Sequence, residues 1–451
     1  MGSLVRDPWR AKFVSTVDTD LPSIGDQRLA SDALACAIAR GCASLRGFFA
    51  GDGAREEVLM IDDSVHLRRG TPAYRRATLA LFCAGFATFA LLYCIQPLLP
   101  MLAAHFSVSA ASSSLALSLT TLSLALCLLI SGALAESWGR KPVMAAALGL
   151  ASLLGLASVL VDSWQLLLAL RALLGLALSG LPALAMAYVG EEFEPQSLPA
   201  AMGLYIGGTA LGGMLGRLLS GLLSDLGGWQ LALGGIASLG LLALALSVWL
   251  LPASRHFKAQ PLLLRNLLAN FRLHLRNPTL RSLFLQGFLL MGGFVALFNY
   301  IGFRLAGEPF GLSSTLIGLL FVVYLGGIFS AGWAGRLVPR FGARQVLRGG
   351  VVLMLLGVGL CATPWLAAIV LGLGLFTLGF FAAHAVASGQ VGSHAKQARA
   401  QASALYLCAY YLGSSVVGYG AGYVWDHAGW LPLMALLAAL FVIAGWRARA
   451  L

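Results

Sequence analysis

The 451-residue chain is 59% hydrophobic and only 11% charged, with a mean hydropathy of +0.84. A soluble domain carries about 25% charged residues to face water, so an ordinary cytosolic enzyme, a disordered protein and a disulfide scaffold are excluded. Lipid has to be the solvent for most of this surface.

Residues 1–75 balance 10 Lys/Arg against 10 Asp/Glu, and they lack the short apolar core of a signal peptide. They are expected to form a cytoplasmic extension without fixed structure. Residues 33–50, with Arg40 and Arg46, could make a short amphipathic helix, and Met60 is an alternative start. The whole net charge of +12 arises beyond them, where 20 basic residues face 8 acidic ones. These basic residues fall between apolar segments rather than along one stripe, which marks membrane insertion and excludes a nucleic-acid footprint.

Apolar segments long enough to cross about 30 Å of hydrocarbon recur along the chain. They are read at 77–101, 113–135, 143–161, 164–189, 198–223, 230–251, 282–304, 314–337, 347–364, 366–390, 401–424 and 429–447. The fold class is therefore an all-α membrane protein with twelve spans. Barrel strands would be near ten residues and alternate in polarity, so they do not fit. An even count puts both termini on one side. Arg76, Arg140, Lys141, the 252–281 and 336–348 loops, Lys396, Arg399, Arg447 and Arg449 share one face. Asp162, Asp225, Glu308 and Asp426, with Arg304, take the other. By the positive-inside rule the basic face is expected to be cytoplasmic.

The two halves repeat one another. At an offset of 201, Tyr205 aligns with Tyr406, Gly212 with Gly413, Gly221 with Gly422, Asp225 with Asp426 and Trp229 with Trp430. A second match pairs Gly132 and Gly139 with Gly335 and Gly342. A parallel repeat of this kind predicts two six-helix bundles facing one another, at 76–251 and 282–451. Within the 252–281 linker, Leu264, Leu267, Leu268, Phe271 and Leu275 share one helical face, and Arg265, Arg272 and Arg276 another. That spacing predicts an interfacial helix on an anionic leaflet. Cys83, Cys94, Cys127, Cys361 and Cys408 lie within apolar runs, Cys36 and Cys42 in the leader, and none forms a metal-like cluster.

After the second span comes Gly132-Ala-Leu-Ala-Glu136-Ser-Trp-Gly139-Arg140-Lys141. It resembles the loop between the second and third helices of the major facilitator superfamily. Ser137 stands where that family usually has an arginine, and Glu136 where it has an acid. The second copy keeps Gly335, Arg340, Gly342 and Arg344, but Pro339 takes the place of the acid. The first half is thus expected to carry the gate and the second half only its shape. Arg171, in LLALRALLGLA, resembles the family's fourth-helix arginine motif. Gly208, Gly212 and Gly216 resemble its glycine-rich fifth-helix motif, associated with antiporters; physically, such spacing lets two backbones approach closely in lipid. RGTPAYRRATLALF at 69–82, SRHF at 254–257 and GFFAAHAVAS at 379–388 are similar to a bacterial inner-membrane branch of that superfamily. The resemblance implies a proton-driven exporter of a drug or small metabolite, whose helices one, four, seven and ten line a central cavity.

Buried polar residues in those helices are the pointers to a substrate site. The candidates for contact are Tyr93, Gln96, Arg171, Asn299, Tyr300, Tyr406 and Tyr410. Each also fits a plain helix–helix hydrogen bond, and Arg171 could simply bond backbone carbonyls. Arg217, two turns from the end of its helix, is expected to snorkel outward. No carboxylate lies mid-span beyond residue 76, which weakens a cationic-drug reading and leaves His384 and Glu136 as candidate proton carriers. The chain is expected to act as a monomer, with protons as coupling ion and without cofactor or metal. The alternatives are an importer or facilitator of a polar or anionic metabolite, and a non-transporting membrane sensor. No H-E-x-x-H, P-loop or G-x-S-x-G motif is present to support an enzyme or an ATP-driven pump.

Overall fold

The computed structural model describes residues 66–256 and 264–450. The expectations for a helix at 33–50 and a start at Met60 lie outside the described residues. Every long element is a helix, as lipid requires, because a helix satisfies its own backbone groups.

Among the described residues twelve spans are present. The first (Pro72–His105) begins five residues ahead of the expected 77, because Thr71 caps it by accepting a hydrogen bond from Tyr74 N–H, with Pro72 at the first helical position. The second and third are Ala110–Trp138 and Arg140–Leu160. The fourth is Trp164–Glu192, interrupted near Gly180. The fifth and sixth form one continuous 53-residue stretch, Leu198–Leu250. It folds back at Gly227–Gly228, where Gly228 takes a φ of +75° that a side chain would strain. The seventh to tenth are Pro278–Ala306, Ser314–Phe341, Ala343–Cys361 and Leu366–His394. The eleventh, Arg399–Ala428, is rich in Ser and Tyr and is less apolar than the others. Trp430–Arg447 is the twelfth.

The repeat is visible in the packing. A Cβ at Gly208 would stand 2.5 Å from the Phe82 carbonyl oxygen, and one at Gly216 2.6 Å from Ala90 Cα. Gly212 sits equally hard against Phe86, and Gly413 against Phe288 in the second half. Spans one and five, and spans seven and eleven, are therefore in backbone contact. Gly85 and Gly287 in turn make room for the rings of Tyr205 and Tyr406, two positions that the offset already paired.

Two further pairs join the halves, span two to span eleven and span five to span eight. The linker helix Leu264–Arg276 packs against spans seven and eleven, where His274 is buried with Nε2 3.1 Å from the Ala398 carbonyl. Leu268 and Leu275 remain exposed on its outer face, as an interfacial helix needs.

Candidate functional site

The acidic-loop ends of the two halves are tied together by a reciprocal pair of caps. The Asp225 carboxylate, at the end of span five, accepts hydrogen bonds from Ser314 N–H (3.1 Å) and Thr315 N–H (2.8 Å), the first turn of span eight. Asp426, at the end of span eleven, accepts from Ala111 N–H (3.0 Å) in the first turn of span two. A carboxylate at a helix N-terminus meets unpaired N–H groups and the positive end of the dipole. Deeper in the same seam, Thr121 and Ser415 are hydrogen bonded at 2.7 Å and Ser414 reaches Thr121. Among the described residues, every hydrogen bond between the halves lies in this acidic-end region or near mid-membrane. Toward the basic end, Gly203 and Gly207 of span five and Gly332 and Gly335 of span eight look into open space.

Below the caps lies a buried polar layer shared by both halves. Gln96 donates to Asn299 Oδ1 across the seam (2.7 Å), and its own oxygen accepts from Arg217 Nε (2.7 Å). Arg217 Nη1 also donates to the Gly213 carbonyl at 2.5 Å. The guanidinium is covered by the rings of Tyr93 (4.2 Å), Phe321 (4.8 Å) and Tyr324 (5.1 Å). Arg217 therefore does not snorkel outward. It is 2% exposed, because the glycine face of span five turns it inward over span one, and cation–π contacts and two oxygens replace water. Its position beside the seam was not legible from its helix alone.

Arg171 is equally buried, but each of its nitrogens meets backbone, with the Cys94 side chain alongside. It donates to the carbonyls of Leu91 (3.3 Å), Leu92 (3.0 Å) and Ala116 (3.2 Å). Span one changes from α-helix to a 3₁₀ turn at Gln96–Leu98, with Pro97 in it. That break frees carbonyls which would otherwise accept helical N–H groups. Arg171 fills this role of C-terminal cap.

Nearer the basic end, His384 of span ten places Nδ1 2.9 Å from the Tyr406 hydroxyl. Its ring lies 4.7 Å from that of Tyr410 and stacks on Phe380. Tyr410 meets Tyr411 edge-on at 5.2 Å. His384 and Tyr410 are partly exposed, whereas Tyr406 is buried.

Other candidates are placed elsewhere. Tyr300 donates to the Gly418 carbonyl within the second half (2.8 Å), stacks near Trp425 and reaches Ser114 of span two beside the caps, away from both layers. Gln286 bonds the Ala444 carbonyl of span twelve. In the loop motif, Gly139 and Gly342 take φ of +86° and +80° and start spans three and nine. Arg140 grips Glu191 with two hydrogen bonds, of 3.2 and 2.6 Å, and Lys141 donates to the Leu251 carbonyl. Arg340 is exposed in the second copy. Gly132 is helical, and the side chain of Glu136 lies outside the described residues. A separate apolar groove of about 800 Å³ runs between spans eight, nine and ten, lined by Phe329, Trp333, Leu337 and Phe341. It holds none of these polar groups. Asp225, Asp426, Phe321 and Tyr324 were missed as site residues. The one signal for the two acids was their alignment by the repeat, each opposite a serine-rich start of a span (Ser109–Ser114, Ser313–Thr315).

Similarity to known proteins agrees with this architecture. Residues 81–305 match the Major Facilitator Superfamily. The chain is 48% identical to the inner membrane transport protein YnfM of Escherichia coli (strain K12), over 84% of this chain and 91% of that one. It is 45% identical to the MFS-type transporter YybF of Bacillus subtilis (strain 168), over 84% and 94%. A crystal structure of a mutant of the nucleoside transporter NupG superposes with a TM-score of 0.71 at 16% identity, covering 83% of this chain and 99% of that one; at that identity the likeness concerns the fold. The protein is a multi-pass membrane transporter and not an enzyme. Two pseudo-symmetric halves of six spans, joined along paired seams and related in sequence to such transporters over most of their length, establish that this chain belongs to the Major Facilitator Superfamily.

Proposed function

We propose that the protein exports a small organic solute across the bacterial inner membrane in exchange for protons, by alternating access. The basic loops, both termini included, face the cytoplasm in this reading, and the acidic loops face outward. The observation that carries it is the asymmetry of the seam. Asp225 and Asp426 hold the acidic ends of the halves together, while His384 and Tyr410 are partly exposed nearer the basic end. Such an arrangement is a carrier shut to one side and loaded from the other.

His384 is the proton carrier in this scheme. It faces Tyr406 and Tyr410, with no acid beside it among the described residues, and it is the histidine set in the middle of a span. The domains divide as an N-terminal bundle at 76–251, a linker at 252–281 and a C-terminal bundle at 282–451.

The test is efflux. Cells overproducing the protein are screened against a panel of toxic organic compounds, and any compound whose tolerance rises is followed in everted vesicles under an imposed pH gradient. Transport is expected to collapse with the gradient, and His384→Gln is expected to carry the compound without responding to pH. Flux that ignores both the gradient and the substitution would exclude proton exchange through His384.

A further inference from the structure

We infer that Arg217 is the binding determinant for an anionic group on the transported solute, so that the substrate class is an organic anion with an aromatic or apolar body. This rests on the transporter reading above and deepens it.

The seam holds a buried cation that no acid meets among the described residues. Beyond residue 76 the acidic residues are Glu136, Asp162, Glu191, Glu192, Glu194, Asp225, Glu308 and Asp426. Asp225 is the one nearest along the chain, two turns away, and it is engaged with Ser314 and Thr315. Arg217 itself bonds only neutral oxygens, those of Gln96 and Gly213, and its Nη2 makes no hydrogen bond among the described residues. A charged side chain within a membrane is costly unless something answers it. Arg171 places each of its three nitrogens on a backbone carbonyl, whereas Arg217 leaves Nη2 without an acceptor.

Its surroundings are also incomplete in one chemical sense. Tyr324 Oη and Asn299 Nδ2 are buried without a hydrogen-bond partner. Both can donate, and both belong to the layer in which Arg217 lies. A guanidinium and two idle donors, walled by Tyr93, Phe321 and Tyr324, suit a carboxylate or similar oxyanion attached to a flat apolar body. A cation or a neutral amide would leave the charge unanswered.

The covering rings explain why the anion need not be resident. Tyr93 belongs to span one, the same half as Arg217, but Phe321 and Tyr324 come from span eight across the seam. When the halves rock apart at the acidic end, two of the three rings leave the guanidinium. An anion already taken up from the basic end then takes their place and is released on the acidic side, and closure of the seam returns the rings. For a solute leaving a cell whose interior is negative, one negative charge moving outward is favoured by about 2.3 kcal/mol per 100 mV, so the sign of the charge also suits export.

The test is equilibrium binding, which needs neither flux nor a gradient. The purified full chain in lipid nanodiscs is mixed with benzoate, phenylacetate and salicylate, with benzamide and phenylacetamide as neutral counterparts, and with benzylamine as the cation. The melting temperature is read in each case. At least one carboxylate is expected to raise it while its amide and the amine do not. Arg217→Gln should remove that shift, and Arg217→Lys should keep part of it. Tyr324→Phe keeps the ring but removes the idle hydroxyl, and should weaken the carboxylate about tenfold without lowering the melting temperature of the unliganded protein. Opening the acidic end by Asp225→Ala with Asp426→Ala should strengthen binding. The inference is overturned if no carboxylate acts even in that opened variant, if amide or amine acts as well, or if the shift survives Arg217→Gln. Anion binding without proton exchange would instead count against the exchange mechanism alone, and proton-coupled flux of a neutral or cationic compound against this inference alone.

Discussion

The two carboxylate caps should set the balance between the states of the carrier. Replacing Asp225 and Asp426 together by alanine removes three N–H···O bonds that cross between the halves, of 3.1, 2.8 and 3.0 Å. A hydrogen bond to a charged group contributes about 1.5–3 kcal/mol when sheltered, but Asp225 and its partners are solvent-exposed, which lowers the figure toward about 1 kcal/mol each. The acidic-end-closed state should therefore lose about 2–3 kcal/mol relative to the open one, a shift of roughly 30- to 150-fold. Ser118→Cys is a suitable reporter in a background without the native membrane cysteines. Ser118 is 3% exposed in the seam, and it lies on the acidic-end side of the Thr121–Ser415 hydrogen bond. In nanodiscs, a membrane-impermeant thiol reagent should label it at least tenfold faster when both caps are gone, and at an intermediate rate when one is gone. Labelling within about twofold of the parent would show that the caps do not hold the seam, and would remove the physical basis for a closed acidic end.

Gly212→Ala and Gly413→Ala should each lower the melting temperature by several degrees, at a cost of about 1–3 kcal/mol from the overlap with the Phe86 and Phe288 carbonyls. Gly207→Ala on the same helix meets open space and should change nothing; equal effects at both positions would refute the close-approach account. Arg171→Ala should still insert but should melt earlier by an amount worth about 2 kcal/mol, because the Leu91, Leu92 and Ala116 carbonyls lose their donor. Unchanged stability with lost flux would return Arg171 to the substrate. Tyr300→Phe loses its bond to the Gly418 carbonyl and its contact with Ser114 of the other half, both outside the Arg217 layer, and should leave the affinity for solute within about twofold of the parent, whereas Asn299→Leu breaks the bond to Gln96 across the seam and should alter the rate of exchange.

The spans were legible because crossing lipid demands a long apolar run, and such a run leaves little freedom of interpretation. Even the eleventh, the most polar, showed itself through length and the repeat. The halves were legible because glycine at a backbone contact cannot be exchanged for another residue without moving a helix, so Gly212 and Gly413 keep the register of the offset. The site was less legible. Tyr300 and Asn299 are adjacent on span seven and looked equivalent, yet Tyr300 reaches Gly418 and Ser114 near the caps while Asn299 meets Gln96 in the buried polar layer. Arg217 was misread because its distance from the helix end allowed snorkelling, and only the approach of span eight shows that the inward path is the better solvated by rings and amides. Which face of a helix meets a partner from the other half is a tertiary fact that a single helix does not encode.

The repeat preserves mechanics and discards chemistry. Tyr205 and Tyr406 occupy matched positions, each seated over a glycine of the neighbouring central span, Gly85 and Gly287. Yet the Tyr205 hydroxyl is buried without a partner while that of Tyr406 meets His384. The capping acids, the close-approach glycines and the left-handed glycines at 139 and 342 are shared by both halves. The buried cations belong to the first half and the imidazole to the second. Rocking requires two surfaces that slide and latch alike, so selection on movement acts on both copies equally. In the proposed mechanism a solute is held by unlike groups on opposite walls, a cation on one and the His384 cluster on the other, so the copies diverge where they face each other across the centre. A substitution that restores symmetry among the caps or the close-approach glycines should therefore be tolerated, and one that restores it around Arg217 or His384 should lower flux.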